Sequence, residues 1–160
     1  MRYLIATFVL ATLLTASACG QTADPDKVKD QITGDAKGAA SANPMCKLFT
    51  QAEIEAYAGA PAGPGENAAG GAGCNWHDAS NATSVSVTVV TPDYFPEPDA
   101  MDGFKRLPDV GTRGWVAPDS GWSAGAIVAD RAFAVGISGK SATEASVTAL
   151  LKEAIKRHKQ

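Results

Sequence analysis

The residues of this 160-residue chain whose types could do chemistry are three cysteines, two histidines and a scatter of serines. A redox cysteine pair sits at close spacing such as Cys-x-x-Cys, and a zinc site needs four ligands at recurring intervals. Cys46 and Cys74 fit neither pattern, so they are expected to form a structural disulfide across a loop of about 28 residues, adding about 3 to 4 kcal/mol in the chain-entropy model. His77 and Asp78 are the types of a base and its orienting carboxylate, but neighbours on a strand point to opposite faces, so they read as surface residues at a strand end. His158 falls among lysines in a final helical turn, where a charged imidazole suits the dipole. Two histidines exclude a histidine-rich metal site, although a mixed carboxylate site stays open. Ser120 and Ser123 have no nucleophile-elbow sequence around them and no positioned histidine. Gly63, Gly65, Gly70, Gly71 and Gly73 lack the strand before and the helix after that a phosphate-binding loop requires. The expectation is therefore a protein that is not an enzyme, with no catalytic residue, no metal and no cofactor.

The remaining candidates are aromatic. Only 7% of the residues are Phe, Trp or Tyr, so Trp76, Trp115 and Trp122 must either supply core volume or be exposed for recognition. Core is the expectation for the group. A surface for a partner or a small apolar ligand is expected at the hairpin bearing Trp115 and Trp122, and at Tyr94 and Phe95. With 14 Lys and Arg against 17 Asp and Glu, the chain has no cationic excess for phosphates, and nucleic acid is not an expected partner.

Cys19 has a different context. Arg2 supplies a basic start, Leu4 to Leu14 an apolar core too short to span a bilayer permanently, and Thr15-Ala16-Ser17-Ala18-Cys19 a cleavage site. The last stretch resembles a bacterial lipobox, which implies export, cleavage after residue 18 and a diacylglyceryl group on Cys19, with Ala16 where the pattern prefers a branched aliphatic residue. Acyl chains stabilise the membrane-bound state by about 0.8 kcal/mol per buried methylene, so two or three of them would anchor the chain to the membrane durably. Gly20 follows the cysteine in place of the Asp that retains lipoproteins at the inner membrane, so in a Gram-negative host the expected address is the outer membrane, facing the periplasm.

The elements that must position these residues follow in order. Residues 19–45 have few large apolar side chains beyond Val28 and Ile32 and read as a flexible lipidated tether, leaving 46–160 as one folded domain. Thr50 and Glu53 form a capping box, Phe49 can staple onto Ile54, and Gly59 is placed to close this short helix. Residues 60–73, rich in Gly, Ala and Pro, read as an exposed loop. Val85, Val87 and Val89 alternate with Ser84, Ser86 and Thr88 as in a half-buried antiparallel strand, after a first strand opening at Cys74. Met101, Phe104 and Leu107 are spaced for a short crossing helix, and further strands are expected over 114–117, 122–129 and 132–138. Ser141 and Glu144 form a second capping box before the stripe Val147, Leu150, Leu151, Ala154 and Ile155. The Lys152, Lys156, Arg157 and Lys159 cluster reads as a solvated helix end. The fold class is α+β, an antiparallel sheet of about four to five strands packed with an N-terminal and a C-terminal helix.

The order Cys46-Lys-Leu-Phe-Thr-Gln-Ala-Glu-Ile, Cys74-Asn-Trp76, an alternating Val strand and Leu107-Pro-Asp-Val-Gly111 resembles the small cell-envelope lipoprotein domains of unknown function common in actinobacteria, some of them similar to the PsbP-like α/β sandwich. The chain departs from the usual pattern at Thr112-Arg113-Gly114, where members carry an acidic residue and Ala. The resemblance implies a fold and an address, and no catalytic residues. The expected function is a lipid-anchored binding or accessory module, held to the membrane by its N-terminal lipid and contacting another envelope protein or a small apolar ligand. The alternative is an inhibitor or immunity protein that inserts residues 59–73 or 117–121 into the cleft of a secreted or periplasmic enzyme.

Overall fold

Thr50 opens the first helix, α1 (Gln51–Ala58), as expected: its hydroxyl accepts from the Glu53 amide at 3.3 Å, and the Glu53 carboxylate accepts from the Thr50 amide at 2.8 Å. Gly59, at φ 64°, ends the helix in the left-handed conformation that favours a residue without a Cβ. This computed structural model describes residues 42–95 and 97–158, so the expected signal peptide, Cys19 and most of the tether lie outside the described residues. Asn43 and Met45 are nonetheless buried, three residues and one residue ahead of the expected start at Cys46. The Asn43 amide donates to the Gly73 carbonyl and to Asn67 Oδ1, so its polar atoms are satisfied inside the fold.

The sheet has seven strands: β1 (Glu66–Ala68), β2 (Gly73–His77), β3 (Ser84–Val90), β4 (Lys105–Arg106), β5 (Thr112–Asp119), β6 (Gly121–Val128) and β7 (Arg131–Ser138). Their order is β1-β2-β3-β7-β6-β5-β4, every neighbouring pair antiparallel. The expectation of four to five strands falls short by the two edges. β1 lies in the Gly- and Ala-rich run taken for loop, and β4 lies where a crossing helix was expected. Strands of three and two residues are too short to show alternation, and each exists by pairing with a longer neighbour, β1 with β2 and β4 with β5. The crossing helix is replaced by two successive turns, closed by Met101 N to Pro98 O and Phe104 N to Met101 O. Gly103 takes φ 82° within the second, which ends any helical path.

The C-terminal helix, α2 (Glu144–His158), carries the expected stripe, with Val147, Leu150, Leu151 and Ala154 buried. Its cap differs from the expected Ser141 and Glu144. The helix starts at Glu144, so Thr143 is the cap and Ser146 the third helical residue, and each side chain bonds the other's amide at 3.1 Å. A serine hydroxyl thus returns to the cap amide in place of a longer Glu.

Both helices lie on one side of the sheet. There Val85 and Val87 of β3, Phe133, Val135 and Ile137 of β7, Ala124 and Ala126 of β6, and Val116 of β5 join Trp76, Ile54 and the α2 stripe in one core. The Cys46–Cys74 disulfide ties the chain before α1 to β2 at a Cα separation of 5.1 Å. Arg157 corrects the view of the basic cluster. Its guanidinium, 28% exposed, donates to both Glu53 oxygens, to Glu153 and to the Leu48 carbonyl, and lies 4.7 Å from the Phe49 ring centroid. It clamps α2 to α1. The Arg157 hydrogen bonds, followed by those from Thr50, hold the Glu53 carboxyl down to about 2. Lys152 and Lys156 are exposed as expected, and Lys159 lies outside the described residues.

Candidate functional site

The alternation that sends valines to the helices sends Ser84, Ser86 and Thr88 of β3 to the opposite side, with Ala132, Ala134, Gly136 and Ser138 of β7 and Ser123, Gly125 and Ile127 of β6. No α-helix covers this side among the described residues. Residues 92–95 and 97–104 cross it as a strap. Phe95 and Phe104 pack with Trp115, Ala117, Ile127, Ala132 and Val90 into a second, smaller core. Trp115 is 3% exposed, with its ring centroid 6.3 Å from those of both Phe95 and Phe104.

An ion cluster fastens the strap. Glu97, its side chain 10% exposed, pairs with Arg106 at 2.7 Å and with Arg113. Burial pushes the Glu97 carboxyl up, but the hydrogen bonds and charges of Arg106 and Arg113 outweigh it and hold it below its ordinary value. Arg113 sits at a break in the β5–β6 register between Thr112 and Trp115, at φ 56°, and this bulge turns its side chain toward the strap, over Phe95. Arg106 lies over Phe104, 4.9 Å from the ring centroid. Arg113, on this bulge, thus helps to lock the strap.

The strap covers only part of this side. Beyond it lies a cleft of about 370 Å³, floored by β3, β7 and β6 and bordered by Pro98, Met101, Trp115 and Trp122. Its floor has a defined geometry. Gly136 of β7 lies between Ser86 of β3 and Ser123 of β6, directly paired with both. With no side chain at Gly136, the row is a trench with a hydroxyl on either bank. Ser84 and Ser138 close one end with a hydroxyl hydrogen bond of 2.5 Å. The Ser86 hydroxyl has no hydrogen-bond partner among the described residues, and the Ser123 hydroxyl only a long bond to the Ala117 carbonyl at 3.5 Å. Asp119 is the one charged side chain in the lining. Trp115 Nε1 is the one buried side-chain nitrogen or oxygen without a partner among the described residues. The indole lies over Gly125, where a Cβ would stand 2.9 Å from Nε1.

The four aromatic residues singled out from the sequence separate. Trp115 and Trp122 both border the cleft, although Trp122 also packs against the helix-side core. Phe95, 8% exposed, belongs to the strap's own packing, and Tyr94, 78% exposed, stands at the surface away from the cleft lining. His77 lies at the end of β2, where its carbonyl accepts from Gly63 N, and Asp78 organises the following turn by accepting from the Ser80 and Ala82 amides. His158 meets Phe133 edge-on, with ring centroids 5.2 Å apart. The hydroxyl floor was missed because Ser84, Ser86 and Thr88 read as the wet side of an amphipathic strand. Their alternation was the available signal. No protein-family model matches the chain, and no curated protein or solved structure was found to match it.

Proposed function

We propose that the chain is a lipid-anchored binding module of the bacterial cell envelope, exported, acylated at Cys19 and working through the cleft on the sheet side opposite its helices. The address is supported by Arg2, the apolar run Leu4 to Leu14 and the small residues before Cys19, and by resemblance to envelope lipoprotein domains. The binding role is carried by one observation: a preformed concavity of small-ligand size with hydroxyls on its floor and Trp115, Trp122 and Met101 at its border. The two segments considered for insertion into an enzyme cleft do not favour the inhibitor reading. Residues 59–73 contribute β1, and residues 117–121 are the paired ends of β5 and β6. Extraction of the full-length protein from membranes in detergent, beside Cys19→Ala, tests the proposal by intact mass and by mass spectrometry of co-eluting molecules. Acylation lost in Cys19→Ala, with a bound small molecule lost in Gly136→Val, is the expected result. A stoichiometric secreted enzyme retained by Gly136→Val, with no small molecule, overturns it in favour of inhibition.

A further inference from the structure

Resting on the cleft reading, the chemistry of the lining narrows the ligand: we infer that the trench over Gly136 takes an uncharged saccharide ring, hydroxyls to the sheet and an apolar face to the strap. The argument begins with what the floor excludes. An acyl chain laid on Ser86 and Ser123 would bury hydroxyls against hydrocarbon, at roughly 1 to 3 kcal/mol for each one left unpaired. A phosphate or carboxylate would find no cation in the lining, because Arg106 and Arg113 are committed to Glu97 and neither borders the cleft. A cation would meet the single charge of Asp119.

What the lining offers is the complement of a sugar. Serine hydroxyls both donate and accept, so they match ligand hydroxyls that do the same, and the Asp119 carboxylate adds a strong acceptor. Pro98 and Met101 provide an apolar border above the floor for the C–H face of a pyranose. Gly136 is what makes room. Its φ lies outside the left-handed region, and a Cβ there would meet only Ser86 Oγ, at 3.0 Å.

The test is saturation-transfer NMR on the full chain in dodecylphosphocholine, a detergent with no sugar headgroup, using millimolar methyl β-D-glucopyranoside, tri-N-acetylchitotriose, 1-octanol and N-acetyl-alanyl-alanine amide. Only signal lost in Gly136→Val counts as binding in the cleft. The expected result is transfer from the glycosides, with affinity at least about tenfold weaker in Gly136→Val and about fivefold weaker in Ser86→Ala. A trisaccharide bound more tightly than the monosaccharide identifies a glycan chain as the source, and equal affinity a free sugar; both support the inference. Cleft-dependent signal from octanol or the peptide alone overturns the saccharide assignment and leaves the cleft reading standing. No cleft-dependent signal from any probe overturns both. Should Gly136→Val fail to fold, Gly136→Ala and the Ser86→Ala, Ser123→Ala double variant make the same comparison with smaller changes.

Discussion

The two sides of the sheet are made by the same strands and finished in different ways. On the helix side, Val85, Val87 and Val89 of β3 and Phe133, Val135 and Ile137 of β7 present apolar groups, and α1 and α2 cover them with Ile54, Val147, Leu150 and Leu151. On the strap side, the register puts Ser, Ala and Gly at the same strands, and a loop held by Phe95, Phe104 and one ion cluster covers only the end of the sheet at Val90, Ala132, Ile127, Trp115 and Ala117. Stability is concentrated on the first side. The second trades packing for open space, and that is where a ligand can enter.

The contrast breaks most directly at α2. Leu150→Ala removes a fully buried side chain at the centre of the helix-side core and is expected to cost about 2 to 5 kcal/mol, read as a lower urea midpoint of unfolding. If the two sides are independent, cleft-dependent ligand binding under native conditions stays unchanged in this variant. Next in size is the disulfide. Replacing Cys46 and Cys74 with Ser should cost about 3 kcal/mol on the same measurement, because the intervening Gly-rich segment regains its freedom in the unfolded chain.

The Arg157 clamp gives a smaller effect with a pH signature. Arg157→Met keeps the stem over Phe49 but removes the hydrogen bonds to Glu53, Glu153 and Leu48, and a loss of about 1 kcal/mol is expected at neutral pH for this partly exposed group. Glu53 has a folded-state value of about 2, below its ordinary 4.5, so its contribution is complete above pH 4.5 and disappears as pH falls toward 2. Stability of the wild-type protein should therefore fall faster than that of Arg157→Met across this window, by chemical denaturation at stepped pH. Equal slopes would show that the clamp contributes no charge-dependent stability.

Legibility in the sequence follows the same division. Thr50-x-x-Glu53, Gly59, the valine alternation and the α2 stripe each repeat a local rule that tertiary structure then obeys, and all four appear where expected. β1 and β4 follow no local rule, since each is a strand only because a neighbour's edge is free to pair. Arg157 looked solvated because its partners lie across the fold, Glu53 being 104 positions away. The cleft was hidden for the same reason. Ser86 and Ser123 come together only when β7 slots between their strands, and the border above them is a loop whose course is set by Glu97, Arg106 and Arg113. Glu97→Gln tests that last point: Arg106 and Arg113 are half exposed and can turn to water, so global stability should change by less than about 1 kcal/mol. Amide hydrogen exchange over residues 97–104 should nevertheless accelerate several-fold while α2 stays protected.

The smallest effect, that of Gly136→Ala, sharpens the comparison within the strap side itself when set against Gly125→Ala. Gly125 and Gly136 both face away from the helices and, because Gly125 pairs with Ala134, they stand two residues apart in register, one under the strap and one in the cleft floor. A Cβ at Gly125 would stand 2.8 Å from the Phe95 ring, 2.9 Å from Trp115 Nε1 and 3.0 Å from the Phe133 carbonyl, so Gly125→Ala forces the strap outward at a cost of about 1 to 3 kcal/mol. At Gly136 the one neighbour is Ser86 Oγ, the end of a side chain free to rotate, and a strand residue with a side chain is preferred to Gly. Gly136→Ala should therefore leave the thermal midpoint unchanged or raise it slightly. A glycine kept at this position at no benefit to stability is what a binding floor requires. A clear destabilisation by Gly136→Ala would instead make the trench a packing feature of the sheet.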